Sequence, residues 1–211
     1  KIEFYPLKEE IGYYDYINWN DEGMLEIIEN LYLRYKENIN NEINMTLLKM
    51  PTGTGKTAVI VGVIGKLVKE NPNLKPIIST TSKAVQDLGW QRTINSYNKE
   101  YPNNQIKPLI LTSTDKLASI TNHPQSLKKI LLEVGNPING LLVLDECHKY
   151  KNPTSKRSKG LQKLSFYPKL TLSATPLTND IILDSVSYLV MSGYYRNKTD
   201  FENQSEINKW K

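Results

Sequence analysis

Met50-Pro51-Thr52-Gly53-Thr54-Gly55-Lys56-Thr57 is the stretch that decides the fold of this 211-residue chain. Before it stands the strand-like run Met45-Thr46-Leu47-Leu48-Lys49-Met50, and after it an apolar, helix-like stretch over residues 58–69. Strand, glycine-rich turn and helix in that order are the setting a phosphate-binding loop requires. Gly53 and Gly55 allow the backbone to turn so that successive N–H groups and the start of the helix point at phosphate oxygens. Thr52 and Thr54 fill out the loop, Lys56 is spaced to reach the β- and γ-phosphates of a nucleotide, and Thr57 to ligate Mg²⁺ through its hydroxyl. The generic pattern wants glycine where Met50 stands. A merely structural Gly/Thr-rich turn is the competing reading, and the Lys-Thr ending weighs against it.

A second stretch points the same way. Gly140-Leu141-Leu142-Val143-Leu144 is a continuous apolar run of the kind buried in a parallel sheet, and it ends abruptly in Asp145-Glu146-Cys147-His148. Ligands of open α/β sheets bind at the carboxyl ends of strands. Asp145 is therefore placed to hold Mg²⁺, and Glu146 to orient and deprotonate an attacking water. Paired acids at a strand end are also common as solvated charge; the loop upstream tips the balance toward chemistry. Cys147 is read as a small buried thiol, because the chain has a single cysteine and so no partner for a bridge or a metal cluster.

Further apolar strand candidates fall at residues 75–80, 108–112 and 170–173, with helical stretches at 82–97, 124–134 and 158–166 between them. Such alternation predicts an α/β fold, a mostly parallel sheet with helices on both faces. Residues 22–35 place Ile27, Ile28, Leu31 and Leu33 near helical spacing, so 1–44 reads as a helical lead packed on a single domain over 45–211. From Asp180 the chain starts helical and turns polar, without a usable motif.

Composition narrows the class. With 39% hydrophobic and 23% charged residues, the chain has ordinary globular usage and enough length to bury a core. No apolar run approaches the roughly 20 residues of a membrane span, so no membrane partner is expected. One cysteine argues against a disulfide-built secreted module, and an intracellular, cytoplasmic setting is expected. The net charge of +5 permits nucleic-acid binding without establishing it. Lys149, Lys151, Lys156, Arg157 and Lys159 make a locally basic stretch that would ordinarily be a solvated loop.

Asp145-Glu146-Cys147-His148 resembles the DExH box of superfamily 2 helicases and translocases, and the form of residues 51–57 is similar to the phosphate loop of those motors. Leu172-Ser173-Ala174-Thr175-Pro176 resembles their motif III. Lys149-Tyr150-Lys151-Asn152-Pro153-Thr154-Ser155-Lys156 and Pro176-Leu177-Thr178-Asn179 are closer still to the Swi/Snf-type subgroup. Thr80-Thr81-Ser82 with Gln86 and Trp90 is similar to motif Ia, and Leu111-Thr112-Ser113 with Leu117 to the motif after it. The resemblance implies a RecA-like P-loop NTPase domain, the first of two, that binds ATP and Mg²⁺ and hydrolyses ATP to drive movement on DNA. Lys56, Asp145 and Glu146 would carry the chemistry, while His148, Ser173 and Thr175 would couple nucleotide state to the nucleic-acid face. Thr81, Ser82, Thr112, Ser113, Lys151 and Lys156 would meet the nucleic-acid backbone, with duplex DNA favoured and RNA not excluded.

Two departures from the family pattern matter. In Trp19-Asn20-Asp21-Glu22, Asn20 stands where the family often has a glutamine that reads adenine, and it is a shorter amide. Arginines that press on the γ-phosphate sit, in the family, in a second RecA-like domain, and this chain ends soon after motif III. The expectation is the front half of a longer motor, with little hydrolysis of its own; the alternative is that Arg157 or another local arginine acts in cis. Two other functions remain open, a restriction- or defence-type DNA translocase subunit and a nonenzymatic ATP-binding nucleic-acid module.

Overall fold

The computed structural model describes residues 8–150, 152, 154–175 and 188–192. Its strands are β1 (Met45–Lys49), β2 (Lys75–Thr80), β3 (Ile110–Ser113), β4 (Gly140–Asp145) and β5 (Lys169–Ser173). They form one sheet in the order β1-β5-β4-β2-β3, every pair parallel. The helices are α1 (Glu22–Asn40), α2 (Lys56–Glu70), α3 (Ser82–Gln86), α4 (Gly89–Glu100), α5 (Thr114–Asn122), α6 (Pro124–Val134) and α7 (Lys156–Gln162). This is the parallel α/β sheet expected from the sequence. No helix among the described residues is long and apolar enough to cross a membrane.

β4 explains why its sequence reads as a run and not an alternation. Strand side chains point alternately to opposite faces. Leu141 and Val143 enter the core under α1, α2 and α4, whereas Leu142 and Leu144 enter the core under α5, α6 and α7, and all six residues of the strand are buried. A strand covered on both faces has no side left for polar groups. α2 accepts its neighbours closely through two glycines: a Cβ on Gly62 would collide with Ile28 of α1, and one on Gly65 with Tyr97 of α4.

The structure departs from the periodicity in three places. The helix expected over 82–97 is two helices, broken where Leu88 adopts a left-handed φ of 58°. α5 was not foreseen, because Thr, Ser and Asn are weak helix formers; Ser113 caps it and its Leu117, Ala118 and Thr121 are buried. On α1 the buried stripe is Ile28, Leu31 and Tyr35, while Ile27 and Leu33 are exposed. Most of the segment after motif III lies outside the described residues, but Tyr188 and Met191 pack into the second core.

Candidate functional site

The loop between β1 and α2 stands at the carboxyl end of the sheet. Gly53 and Gly55 have φ of 79° and 84°, and a Cβ on either would meet nothing within 4 Å, so backbone conformation and not crowding demands glycine. Gly55 occupies the N-cap of α2 without a side-chain acceptor, which leaves the first N–H groups of the helix facing the loop. Pro51 O accepts from Thr54 Oγ1 at 2.7 Å and from Lys56 Nζ at 3.2 Å. Lys56 is only 9% exposed. An ammonium carries three donors, and this one gives the chain a single hydrogen bond, so the others are available to phosphate oxygens. Thr57 follows, half-buried, in the first turn of α2.

Asp145 ends β4 and is 9% exposed. Its Oδ2 accepts from Thr80 Oγ1 at 2.7 Å and from Trp90 Nε1 at 2.9 Å. Two buried donors on one oxygen fix the carboxylate and leave Oδ1 for a ligand. Next, Glu146 takes a φ of 52°, a strained conformation for a residue with a side chain and one that clusters at functional sites. The turn brings Glu146 Oε2 to 3.2 Å from His148 Nδ1, which lies 3.0 Å from Ser173 Oγ. Ser173 Oγ in turn accepts from the Thr175 N–H at 3.1 Å. The three residues expected to couple thus lie together beside the expected base, with the one ring nitrogen Nδ1 of His148 facing both Glu146 and Ser173.

β5, which ends in Ser173, lies between β1 and β4. Loop and acids therefore face each other across it, roughly 10 Å apart as two strand spacings. Among the described residues no group of three or more His, Cys, Asp or Glu could hold a metal. Thr57 and Asp145 with phosphate oxygens suit Mg²⁺, which keeps several waters and takes few protein ligands.

Sequence reasoning missed what supports this edge. Tyr150, fully buried, places its Oη 2.6 Å from Ser79 Oγ and donates to Thr114 Oγ1 at 2.9 Å; Thr114 Oγ1 donates to Thr80 O at 2.9 Å. Ser158 Oγ donates to Tyr150 O at 2.8 Å, tying α7 to the same network. Burial pushes the Tyr150 phenol up to about 12, so it remains a donor. Hydroxyls at the ends of adjacent strands were the available signal. Cys147 is buried against Tyr188, and burial lifts its thiol to about 11, which suits an inert residue.

The residues expected at nucleic acid divide. Thr81 and Ser113 cap α3 and α5, accepting from Ala84 N at 3.0 Å and Lys116 N at 3.3 Å, and each hydroxyl keeps its own proton to donate. Ser82 is exposed beside them. Thr112 is 3% exposed on β3, and it lines one groove with Ser82 and Ser113. Lys156 shares a concavity of about 510 Å³ with His148, Lys149 and Ser155. Lys151 lies outside the described residues.

Asn20 and Arg157 each have a partner within the chain. Asn20 donates to Glu100 Oε1 at 3.3 Å, at the last residue of α4. Trp90, ten positions earlier on that helix, meets Asp145, so the amide sits roughly 15 Å along the helix from that carboxylate. Arg157 is paired through two nitrogens with Asp115 across α7 and α5, Nη2 lying 3.0 Å from Oδ2, on the exposed surface.

Comparison with known proteins agrees with this geometry. The chain is 24% identical over 177 residues to the DNA repair and recombination protein RAD54-like of Gallus gallus, covering 74% of this chain and 24% of that protein. It is 26% identical over 183 residues to the DNA repair protein rhp54 of Schizosaccharomyces pombe, covering 74% and 21%. It thus spans about a quarter of the length of these relatives. The solved Sulfolobus solfataricus SWI2/SNF2 ATPase core in complex with dsDNA aligns with a TM-score of 0.62 at 19% identity, over 89% of this chain and 39% of that one, which establishes the RecA-like fold. These similarities agree with the Swi/Snf-like resemblance of the motifs. The family described as Type III restriction enzyme, res subunit, matches residues 24–178, a span that holds the phosphate loop, both acids, His148, Ser173 and Thr175, and the chain belongs to that family.

Proposed function

We propose that this chain is the ATP-binding half of a DNA-dependent ATPase motor that hydrolyses ATP to drive movement on duplex DNA. The observation that carries the proposal is Lys56 with donors to spare, facing across one strand an acid pair of which the first is fixed and the second strained. In this reading Thr52, Gly53, Thr54 and Gly55 wrap the phosphates, Lys56 meets the β- and γ-oxygens, and Thr57 and Asp145 hold Mg²⁺. A Mg²⁺ ion held by those two residues would supply positive charge to offset that of the phosphates. Glu146 orients the attacking water and accepts its proton. His148 and Ser173 sense that carboxylate and pass its state toward Thr175. Thr81, Ser82, Ser113 and Lys156 contact the DNA backbone without reading bases.

Residues 1–44 serve as a lead packed on the ATP-binding domain over 45–211, and the charge pressed on the γ-phosphate comes from a second RecA-like domain of a longer protein. The greater length of the relatives supports that arrangement. A restriction-type DNA translocase subunit is a second reading, favoured by the family match; it uses the same residues and differs in the domains attached.

The test is a Glu146→Gln variant of a protein carrying both RecA-like domains. Nucleotide affinity should persist while DNA-stimulated turnover falls by about 10²–10⁴-fold. The 211 residues alone should bind Mg²⁺-nucleotide, bind duplex weakly and hydrolyse little with or without it. Unchanged turnover in Glu146→Gln would remove Glu146 as base, and vigorous hydrolysis by the chain alone would overturn the half-motor reading.

A further inference from the structure

Trp90 belongs to two places at once. Its indole N–H is buried and donates to Asp145 Oδ2 at 2.9 Å, sharing that oxygen with Thr80. Trp90 also lines a groove of about 380 Å³ whose other walls include Ser82, Leu111, Ser113 and Lys116. Ser82 and Ser113 are residues assigned above to the DNA backbone, so Trp90 touches both that groove and the carboxylate assigned to Mg²⁺. Leu88, two positions earlier, adopts its left-handed φ of 58° where α3 gives way to α4, so Trp90 stands in the first turn of a new helix. A buried indole N–H needs an acceptor, and here the acceptor is the side chain of Asp145 and not a backbone carbonyl, which ties the position of the ring to that carboxylate.

We propose that Trp90 is a positioning residue for Asp145, and that through it occupancy of the groove by nucleic acid alters how well Asp145 holds Mg²⁺. This rests on the nucleotide and DNA reading given above. Groups one step behind a metal carboxylate fix its orientation, and their loss commonly lowers metal affinity by about 10-fold or more. Thr80 and Trp90 are those groups here. A ligand entering the groove presses on the ring or on the start of α4, and either movement turns the hydrogen bond that aims Oδ1 of Asp145.

The experiment titrates Mg²⁺ against a fluorescent ATP analogue bound to the 211-residue chain, with and without a short duplex at low salt. Trp90→Phe keeps the apolar ring and deletes the donor. It should raise the Mg²⁺ midpoint about 10-fold, leave analogue binding in EDTA and the far-ultraviolet circular dichroism unchanged, and abolish the shift that duplex causes in the wild type. A packing role alone would lower binding equally with and without Mg²⁺. Thr80→Val, which removes the other donor to the same oxygen, should move the midpoint in the same direction, and it carries the test alone if Trp90→Phe does not fold. Wild-type Mg²⁺-dependent binding with unmoved midpoints in the folded variants overturns the positioning role only. A wild-type midpoint that duplex does not shift overturns the link to the groove. Wild-type protein that shows no Mg²⁺-dependent binding overturns the nucleotide reading itself, and this inference with it.

Discussion

Two buried lysines mark opposite ends of the sheet. Lys169 opens β5 at the amino end, 1% exposed, and its Nζ donates to Ser165 O at 2.6 Å and Tyr167 O at 2.7 Å. Lys56 opens α2 at the carboxyl end, 9% exposed, and gives one hydrogen bond at 3.2 Å. Burying a cation is costly unless it is partnered. The chain itself partners Lys169 with the carbonyls that follow α7, so the amino end is self-satisfied. At the carboxyl end donors are left over, and the same edge carries the left-handed φ of Gly53, Gly55 and Glu146. Unspent donors on a buried cation leave room for a partner other than the chain, which is the reading proposed above.

The largest effect expected from this contrast is in Lys56→Ala. Nucleotide affinity should fall by about 100-fold, roughly 3 kcal/mol, because a desolvated charge contact is lost, while the thermal midpoint stays put. Calorimetry giving wild-type affinity would take Lys56 out of the site.

Lys169→Met should do the opposite. Two buried carbonyls lose their donor, at a cost of about 2 kcal/mol, or roughly 4–8 °C in Tm for a chain of this size. Nucleotide affinity should not change; a variant that unfolds normally but fails to bind would reverse the roles of the two ends.

Acidity sharpens the same comparison. Burial lowers the Lys169 ammonium from the usual 10.5 to about 7. Between those values the unfolded chain binds more protons than the folded one, so the contribution of Lys169 to stability rises with pH from about 7 toward 10.5 and is constant, at its least favourable, below 7. The difference between wild type and Lys169→Met in urea unfolding should therefore grow between pH 7 and 9, by at most about 1.4 kcal/mol per pH unit. A difference that stays flat means the folded lysine keeps its proton throughout.

The smallest effect is expected in Thr54→Ala, which removes the 2.7 Å hydrogen bond to Pro51 O within the loop. About 1 kcal/mol of nucleotide binding, or roughly fivefold, should be lost. An effect as large as that of Lys56→Ala would show that the threonine touches the nucleotide directly.

The sequence by itself determined the chemistry-bearing pieces. A phosphate loop is a local structure, so two glycines, Lys56 and Thr57 between a strand and a helix are legible in one short stretch. The apolar run ending in Asp145-Glu146 is local too, since full burial makes every strand position apolar and ligand chemistry begins where the strand stops. α5 and the break at Leu88 escaped because packing and capping overrode weak or uniform propensity. Only the tertiary structure decided the company these pieces keep. Trp90 reaches Asp145 across 55 positions of sequence, Ser79 meets Tyr150 across 71, and Asn20 is drawn 80 positions away to Glu100. Those meetings follow from strand order, which places the end of β2 beside β4 and puts β5 between loop and acids. Strand order is set by the pairing and burial of distant segments, which no local periodicity encodes.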